Sequence, residues 1–199
     1  LRKTDGLVRG FAYPFRHHHE FCSSCPAGNS KVPVLNTTRT RATQPLELVH
    51  IDLWGKSQCP SLHGKHYVIC FVDDYSRHVA LYFLTRKSDA ANALRKYIDE
   101  HATPLQTKLR AVQIDGGGEF EGEFKTVCTM LGIRRQISSA DLQQQNSVAE
   151  RTWSTIVSAA LRMMEDAQLP AKYYEDAFDA AAWIKNRLYS TTLTGMTPH

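Results

Sequence analysis

No run of about 18 apolar residues occurs in this sequence, so no stretch reads as a helix able to cross a bilayer. A secretory signal is also missing. Leu1 stands where an initiating methionine would, so we expect a fragment or a product cut from a longer precursor. Cysteine is scarce and odd in number, at Cys22, Cys25, Cys59, Cys70 and Cys128. Cys70 lies in an apolar run and Cys128 follows a helix-like Val127, so nothing suggests a disulfide framework and a reducing, intracellular compartment is the expectation. The body of the chain lacks an excess of basic charge. Residues 1–45 hold seven Lys and Arg against Asp5 and Glu20, a net of +5, while the whole chain carries +4, which leaves −1 for residues 46–199. The basic charge therefore belongs to an amino-terminal arm, suited either to phosphate contacts or simply to a solvated segment.

What is present is enough apolar material for one core: 199 residues at 42% hydrophobic content. From Leu1 to Pro45 the sequence is rich in turn residues and has no sustained periodicity, as an arm or linker would. Order is expected from Leu46 onward. The runs Leu46–Trp54, His66–Val72 and His78–Leu84 are strand-like, the last two joined by the hairpin turn Asp73-Asp74-Tyr75-Ser76-Arg77. Ser88 is placed to cap a helix through Ala91, Leu94 and Ile98; Leu109–Ile114 reads as a fourth strand, Glu119–Leu131 as a helix ended by Gly132, and Arg134–Ile137 as a fifth strand. Two helices follow, over 144–166 and 171–188, separated by Pro170. Strands first, helices mostly later and strand–helix alternation between them predict an α/β or α+β sheet domain.

Three carboxylates stand out. Asp52 sits in a strand among apolar neighbours, where an unpaired charge is costly and a cation, a metal or a strong donor is expected nearby. Asp115 ends the fourth strand and precedes Gly116, Gly117 and Gly118, which would allow positive φ and the close approach of a bulky ligand. Helical spacing from Val148 groups Thr152, Ile156, Ala159, Ala160, Met163 and Ala167 on an apolar sector, extended by Trp153, Val157, Leu161 and Met164. Glu150 falls at the border with the polar sector, able to reach a cleft at the domain rim. Two strands and a helix delivering Asp52, Asp115 and Glu150 could hold two divalent ions roughly 3.5–4 Å apart, and hard oxygen donors favour Mg²⁺ or Mn²⁺. Spacing by itself does not separate this set from ordinary surface charge.

The residues around each carboxylate resemble the integrase core of copia-type long-terminal-repeat retrotransposons. The matching stretches are Leu48-Val49-His50-Ile51-Asp52-Leu53-Trp54-Gly55, Val72-Asp73-Asp74-Tyr75-Ser76-Arg77, Asp115-Gly116-Gly117-Gly118-Glu119-Phe120, Gln144-Gln145-Asn146-Ser147-Val148-Ala149-Glu150-Arg151, and the closing Asn186-Arg187 and Thr197-Pro198. They occur in the family's order over most of residues 22–198. The resemblance implies an RNase H-like fold, a mixed five-stranded sheet flanked by helices, over residues 46–199. It also implies a DDE triad at Asp52, Asp115 and Glu150, the last two separated by 34 residues. Two positions depart from the family: Gly116 stands where Asn is usual and Ser147 where Gly is usual. Neither removes a ligand, although either could lower activity.

Residues 1–45 would then carry the remnant of an HHCC zinc-binding unit. Cys22-Ser23-Ser24-Cys25 has the spacing of half a zinc site; the family's histidine pair would precede Leu1, and His17, His18 and His19 are poor tetrahedral substitutes. Zn²⁺ is thus expected of the complete parent protein. Gln144, Asn146 and Arg151 are candidate contacts to DNA sugars and phosphates, or else a polar loop and a solubilising charge. Asp73 and Asp74 read as hairpin chemistry, and Glu119 as a helix start with an active-site role left open. The function implied is metal-dependent 3′-end processing and strand transfer of element DNA into target DNA, by a homo-oligomer acting in the nucleus, away from any membrane. The rivals are a non-catalytic nucleic-acid-binding remnant of a degraded or co-opted element, and an RNase H-type nuclease.

Overall fold

A computed structural model of the chain describes residues 41–138, 147–190, 192–193 and 196–198. The residues from Arg41 onward form one compact unit. Its centre is a five-stranded sheet in the order β3-β2-β1-β4-β5, built from β1 (Val49–Trp54), β2 (Tyr67–Asp73), β3 (Val79–Leu84), β4 (Ala111–Ile114) and β5 (Arg134–Ile137). The first three strands form an antiparallel meander, and β4 and β5 join β1 in parallel. The helices are α1 (Ala90–Tyr97), α2 (Glu123–Met130), α3 (Ser147–Asp166) and α4 (Tyr174–Arg187).

Side-chain alternation along the strands divides the apolar residues between two cores. Val49, Ile51, Ile69, Phe71, Tyr82, Val112 and Ile114 pack with Leu94, Tyr97, Phe124 and Val127 of α1 and α2. Alternate positions Val68, Cys70, Val72 and Val79 pack with Trp153, Ile156, Ala160, Tyr174 and Phe178 of α3 and α4. The sheet is thereby covered on both faces, which is why β2 reads as an almost unbroken apolar run. Alanines 90, 91 and 93 let α1 lie close to the sheet, with Tyr97 stacked on Phe71 at 4.6 Å between ring centres.

Several local expectations are corrected. The first strand begins at Val49 because Leu46 has φ of 61° and gives its N–H to Asp73 Oδ1 at 2.9 Å rather than to a sheet neighbour. Ser88 lies inside a 3₁₀ turn, Lys87–Asp89, and Asp89 closes that turn by accepting the Arg86 N–H at 2.9 Å. The segment read as one helix from Glu119 is a 3₁₀ turn at Gly118–Phe120 and then α2; Gly122, at φ of 56°, forces the break. Leu161 on α3 and Ala167 just beyond it are exposed instead of joining the apolar sector.

The turn after β2 fastens the unit together. Asp73 Oδ2 accepts the Ser76 N–H and hydroxyl at 2.8 and 2.6 Å. Asp74, itself buried, accepts His50 Nε2 and Arg77 Nη1, each at 3.0 Å, and the Ala42 N–H at 2.7 Å. Arg41 reaches the carbonyls of Asp74 at 3.3 Å and Thr192 at 2.8 Å. At the edge strand, Asn186 of α4 accepts the Val79 N–H at 2.9 Å and donates to its carbonyl at 2.8 Å.

Candidate functional site

Parallel pairing of β1 with β4 decides where the first two carboxylates meet. Val49 pairs with Val112 and His50 with Gln113; the same register extended two residues would bring Asp115, just past the end of β4, toward Asp52 on the neighbouring strand ~4.8 Å away. Alternation turns Asp52 to the α3 side of the sheet, because its neighbours Ile51 and Leu53 pack into the opposite core. Helix α3 crosses that face. Its Trp153 packs tilted on Trp54 at 5.9 Å, and Phe178 of α4 meets both rings edge-on at 5.2 and 6.2 Å. This aromatic contact ties the first turns of α3, which carry Glu150, to the end of β1, which carries Asp52.

Partial burial pushes the Asp52 carboxyl above the usual carboxylate range. The negative charges of Asp115 and Glu150, and to a smaller extent Glu119, push it further, against a hydrogen bond from the Leu53 amide. Asp115 is exposed just beyond β4, with Oδ1 accepting the Gly117 N–H at 3.1 Å. Glu150 is exposed beside buried Ala149. Glu119 is largely buried, its side chain 11% exposed, and pairs through Oε1 with Lys87 Nζ at 3.3 Å.

The glycines after Asp115 differ from expectation. Positive φ occurs at Gly55, Gly64, Gly122 and Gly132 and not in the Gly116–Gly118 run. A Cβ at Gly116 or Gly118 would meet nothing, whereas one at Gly117 would lie 2.8 Å from Glu119 Cδ, 2.9 Å from Glu119 Oε2 and 3.1 Å from Asp115 Oδ1. Gly117 is thus a cradle over which two carboxylates converge. Among the described residues, no group of three His, Cys, Asp or Glu side chains closes on a single point as a finished metal cage. The donors nevertheless fit a hard divalent cation in kind: carboxylate oxygens alone, from β1, the residue after β4 and the first turn of α3, with a surplus of negative charge for a cation to neutralise.

Of the remaining residues singled out in the sequence, Arg151 is exposed at the start of α3, next to Glu150. Gln144, Asn146, Cys22 and Cys25 lie outside the described residues. Lys87 and the Trp54–Trp153 contact escaped sequence reasoning, since both depend on packing between distant segments.

No family model matches the chain. It is 30% identical over 178 residues, 89% of its length, to the retrovirus-related Pol polyprotein from transposon TNT 1-94 of Nicotiana tabacum. It is also 30% identical to the Pol polyproteins from transposons RE2 and RE1 of Arabidopsis thaliana, over 89% and 90% of its length. The chain spans only 12–13% of the length of these curated relatives. Among solved structures, a chain of the simian T-cell lymphotropic virus intasome in complex with the PP2A regulatory subunit B56 gamma superposes with a TM-score of 0.66 at 21% identity, over 89% of this chain and 61% of that one. The HTLV-2 integrase catalytic core domain in complex with magnesium gives 0.58 at 21% identity, over 79% of this chain and 97% of that one. This chain is thus a sequence homologue of copia-type retrotransposon Pol polyproteins, and its fold is that of retroviral integrase catalytic cores. The mixed sheet with helices on both faces is accordingly an RNase H-like fold. In this fold the candidate carboxylates Asp52, Asp115 and Glu150 stand within β1, just past β4 and in the first turn of α3.

Proposed function

We propose that this integrase-type core is the catalytic part of a DDE polynucleotidyl transferase that processes the 3′ ends of element DNA and joins them to target DNA. The observation carrying this reading is the position of Asp52: it is partly buried on β1, beside the end of β4 that Asp115 follows, and its carboxyl is pushed above the usual range by burial and by the charges of Asp115 and Glu150. Like charges gathered at a sheet rim raise the energy of the cation-free site, and that energy is recovered when a divalent cation binds.

Mg²⁺ or Mn²⁺, when bound, supplies Lewis-acid stabilisation of charge on the phosphate oxygens. Asp52 from β1 and Asp115 from just past β4 would hold it, and Glu150 would complete the set from α3. In strand transfer a DNA 3′-hydroxyl oxygen forms a bond to the target phosphorus as the bond from phosphorus to the departing 3′-oxygen breaks; no covalent bond to the protein is needed. Arg151, together with Gln144 and Asn146, positions the DNA backbone, and the basic arm adds phosphate contacts. In the complete parent protein Cys22 and Cys25 contribute to a Zn²⁺ site. The working form is a homo-oligomer bridging two DNA ends, and its workplace is the nucleus.

The test is disintegration of a branched DNA substrate, the reverse of strand transfer, by this chain and by its Asp115→Asn variant. Mg²⁺- or Mn²⁺-dependent activity present in the first and lost in the second is the expected result. Equal activity in both, or DNA binding with no metal-dependent cleavage by either, refutes the proposal.

A further inference from the structure

The conformation at Gly117 is ordinary: φ of −65° and ψ of 141° suit any residue. What a side chain there would disturb is the shared space above it, because one added methyl position lies within 3.1 Å of both Glu119 Oε2 and Asp115 Oδ1. Glu119 is also largely withdrawn from solvent, and its charge is felt at Asp52. Its ion-pair partner Lys87 is 46% exposed, and the two line a cleft of about 390 Å³ that also includes Ser88, Glu121 and Glu123. Room therefore exists for the ammonium to swing away.

Resting on the metal-site reading above, we infer that Glu119 is a fourth carboxylate of the divalent-cation site: it binds beside Asp115 over the bare backbone of Gly117 and exchanges Lys87 for the cation. Lys87 then acts as an internal counter-ion that competes with the metal. Gly117 is a positioning residue whose lack of a side chain permits the convergence. The exchange is electrostatically matched, since a carboxylate gives up a single ammonium charge on a long, half-exposed stem for a doubly charged hard ion.

The experiment is Mn²⁺ binding by titration calorimetry on the full chain and on Glu119→Gln, Gly117→Ala, Lys87→Met and Asp115→Asn, with melting in EDTA as the folding check. Glu119→Gln and Gly117→Ala are each expected to weaken Mn²⁺ about tenfold. Lys87→Met is expected to tighten it about threefold by removing the competitor. Gly117→Ala should melt like the parent, because the atoms it displaces are the flexible end of Glu119. If Asp115→Asn weakens binding while Glu119→Gln and Gly117→Ala bind as the parent does, Glu119 is not in the site and the inference falls alone. If Asp115→Asn also leaves binding unchanged, the metal-site reading fails and takes this inference with it. Should Glu119→Gln not fold, unchanged or weaker binding by Lys87→Met is enough to overturn the exchange.

Discussion

Replacing Asp52 by Asn should make the cation-free protein more stable while abolishing its chemistry. Asp52 lies on β1 beside the end of β4 that Asp115 follows, and two unit charges ~5 Å apart at an effective dielectric of ~20 repel by about 3 kcal/mol. Solvent on the open side of the cleft and salt reduce this, so the net gain expected from Asp52→Asn is about 1–3 kcal/mol near neutral pH. For a domain of this size that is a rise in melting temperature of about 2–10 °C. The pH dependence has a definite sign. Asp52 has its folded pKa raised by burial and by Asp115 and Glu150. Below the ordinary carboxylate range, at about pH 4, both forms are neutral at this position and should melt alike. As pH rises through the elevated folded value the parent ionises against its neighbours, loses stability and falls behind the variant. Adding Mg²⁺ should restore the parent in proportion to the ratio of free ion to dissociation constant, and should help the variant far less. Thermal melting by circular dichroism across pH, in EDTA and in Mg²⁺, reads all of this. If Asp52→Asn melts below the parent in EDTA, or if Mg²⁺ stabilises both equally, Asp52 does not sit in a cluster awaiting a cation.

Asp74→Ala is expected to cost about 3–5 kcal/mol, because it removes a buried carboxylate that His50, Arg77 and the Ala42 amide all bond; denaturant titration measures it, and a loss under about 1 kcal/mol would show that water replaces the carboxylate. Burial works against ionisation of Asp74, but the His50 hydrogen bond, the Ala42 amide and the Arg77 charge hold its carboxyl well below the usual range. The stability it contributes is therefore fully present above about pH 4 and drains away as pH falls toward the folded value. Asn186→Leu should cost about 2–3 kcal/mol by leaving both backbone groups of Val79 unpaired, unless unfolding curves show that the edge strand finds water instead. Burial raises the thiol pKa of Cys70, aided by Asp52, and pushes that of Cys128 up to about 11. Mass spectrometry after alkylation of the native chain should thus find Cys59 modified well before either buried cysteine, and rapid labelling of Cys70 would contradict the packing described.

Strand and helix identities were legible wherever one periodicity ran uninterrupted. All five strands and both long carboxy-terminal helices lie where alternation and helical spacing put them, because sheet faces and helix sectors are selected by local burial. The misreadings fall where a distant residue captures a backbone group. Leu46 leaves the first strand because Asp73 takes its N–H, and the helix expected from Glu119 is split at Gly122, whose conformation is set by the turn between two packed elements. The three glycines after Asp115 advertised freedom of φ, yet the backbone at Gly117 is ordinary, and what its missing side chain leaves is space that Glu119 and Asp115 share.

The sequence by itself determined the candidate carboxylates, the family resemblance and the order of elements, since each of these is written in contiguous residues. It also marked Asp73 and Asp74 as turn chemistry, which the short hydrogen bonds to Ser76 within that turn agree with. Only the tertiary structure decided that Asp74 is a buried hub rather than a turn ornament, that Trp54 and Trp153 tie α3 to β1, and that Glu119 shares space with Asp115 under the hold of Lys87. The reason is physical: strand register and helix docking bring together side chains many tens of residues apart, and the repulsion, burial and ion pairing that tune a site exist only between groups already side by side.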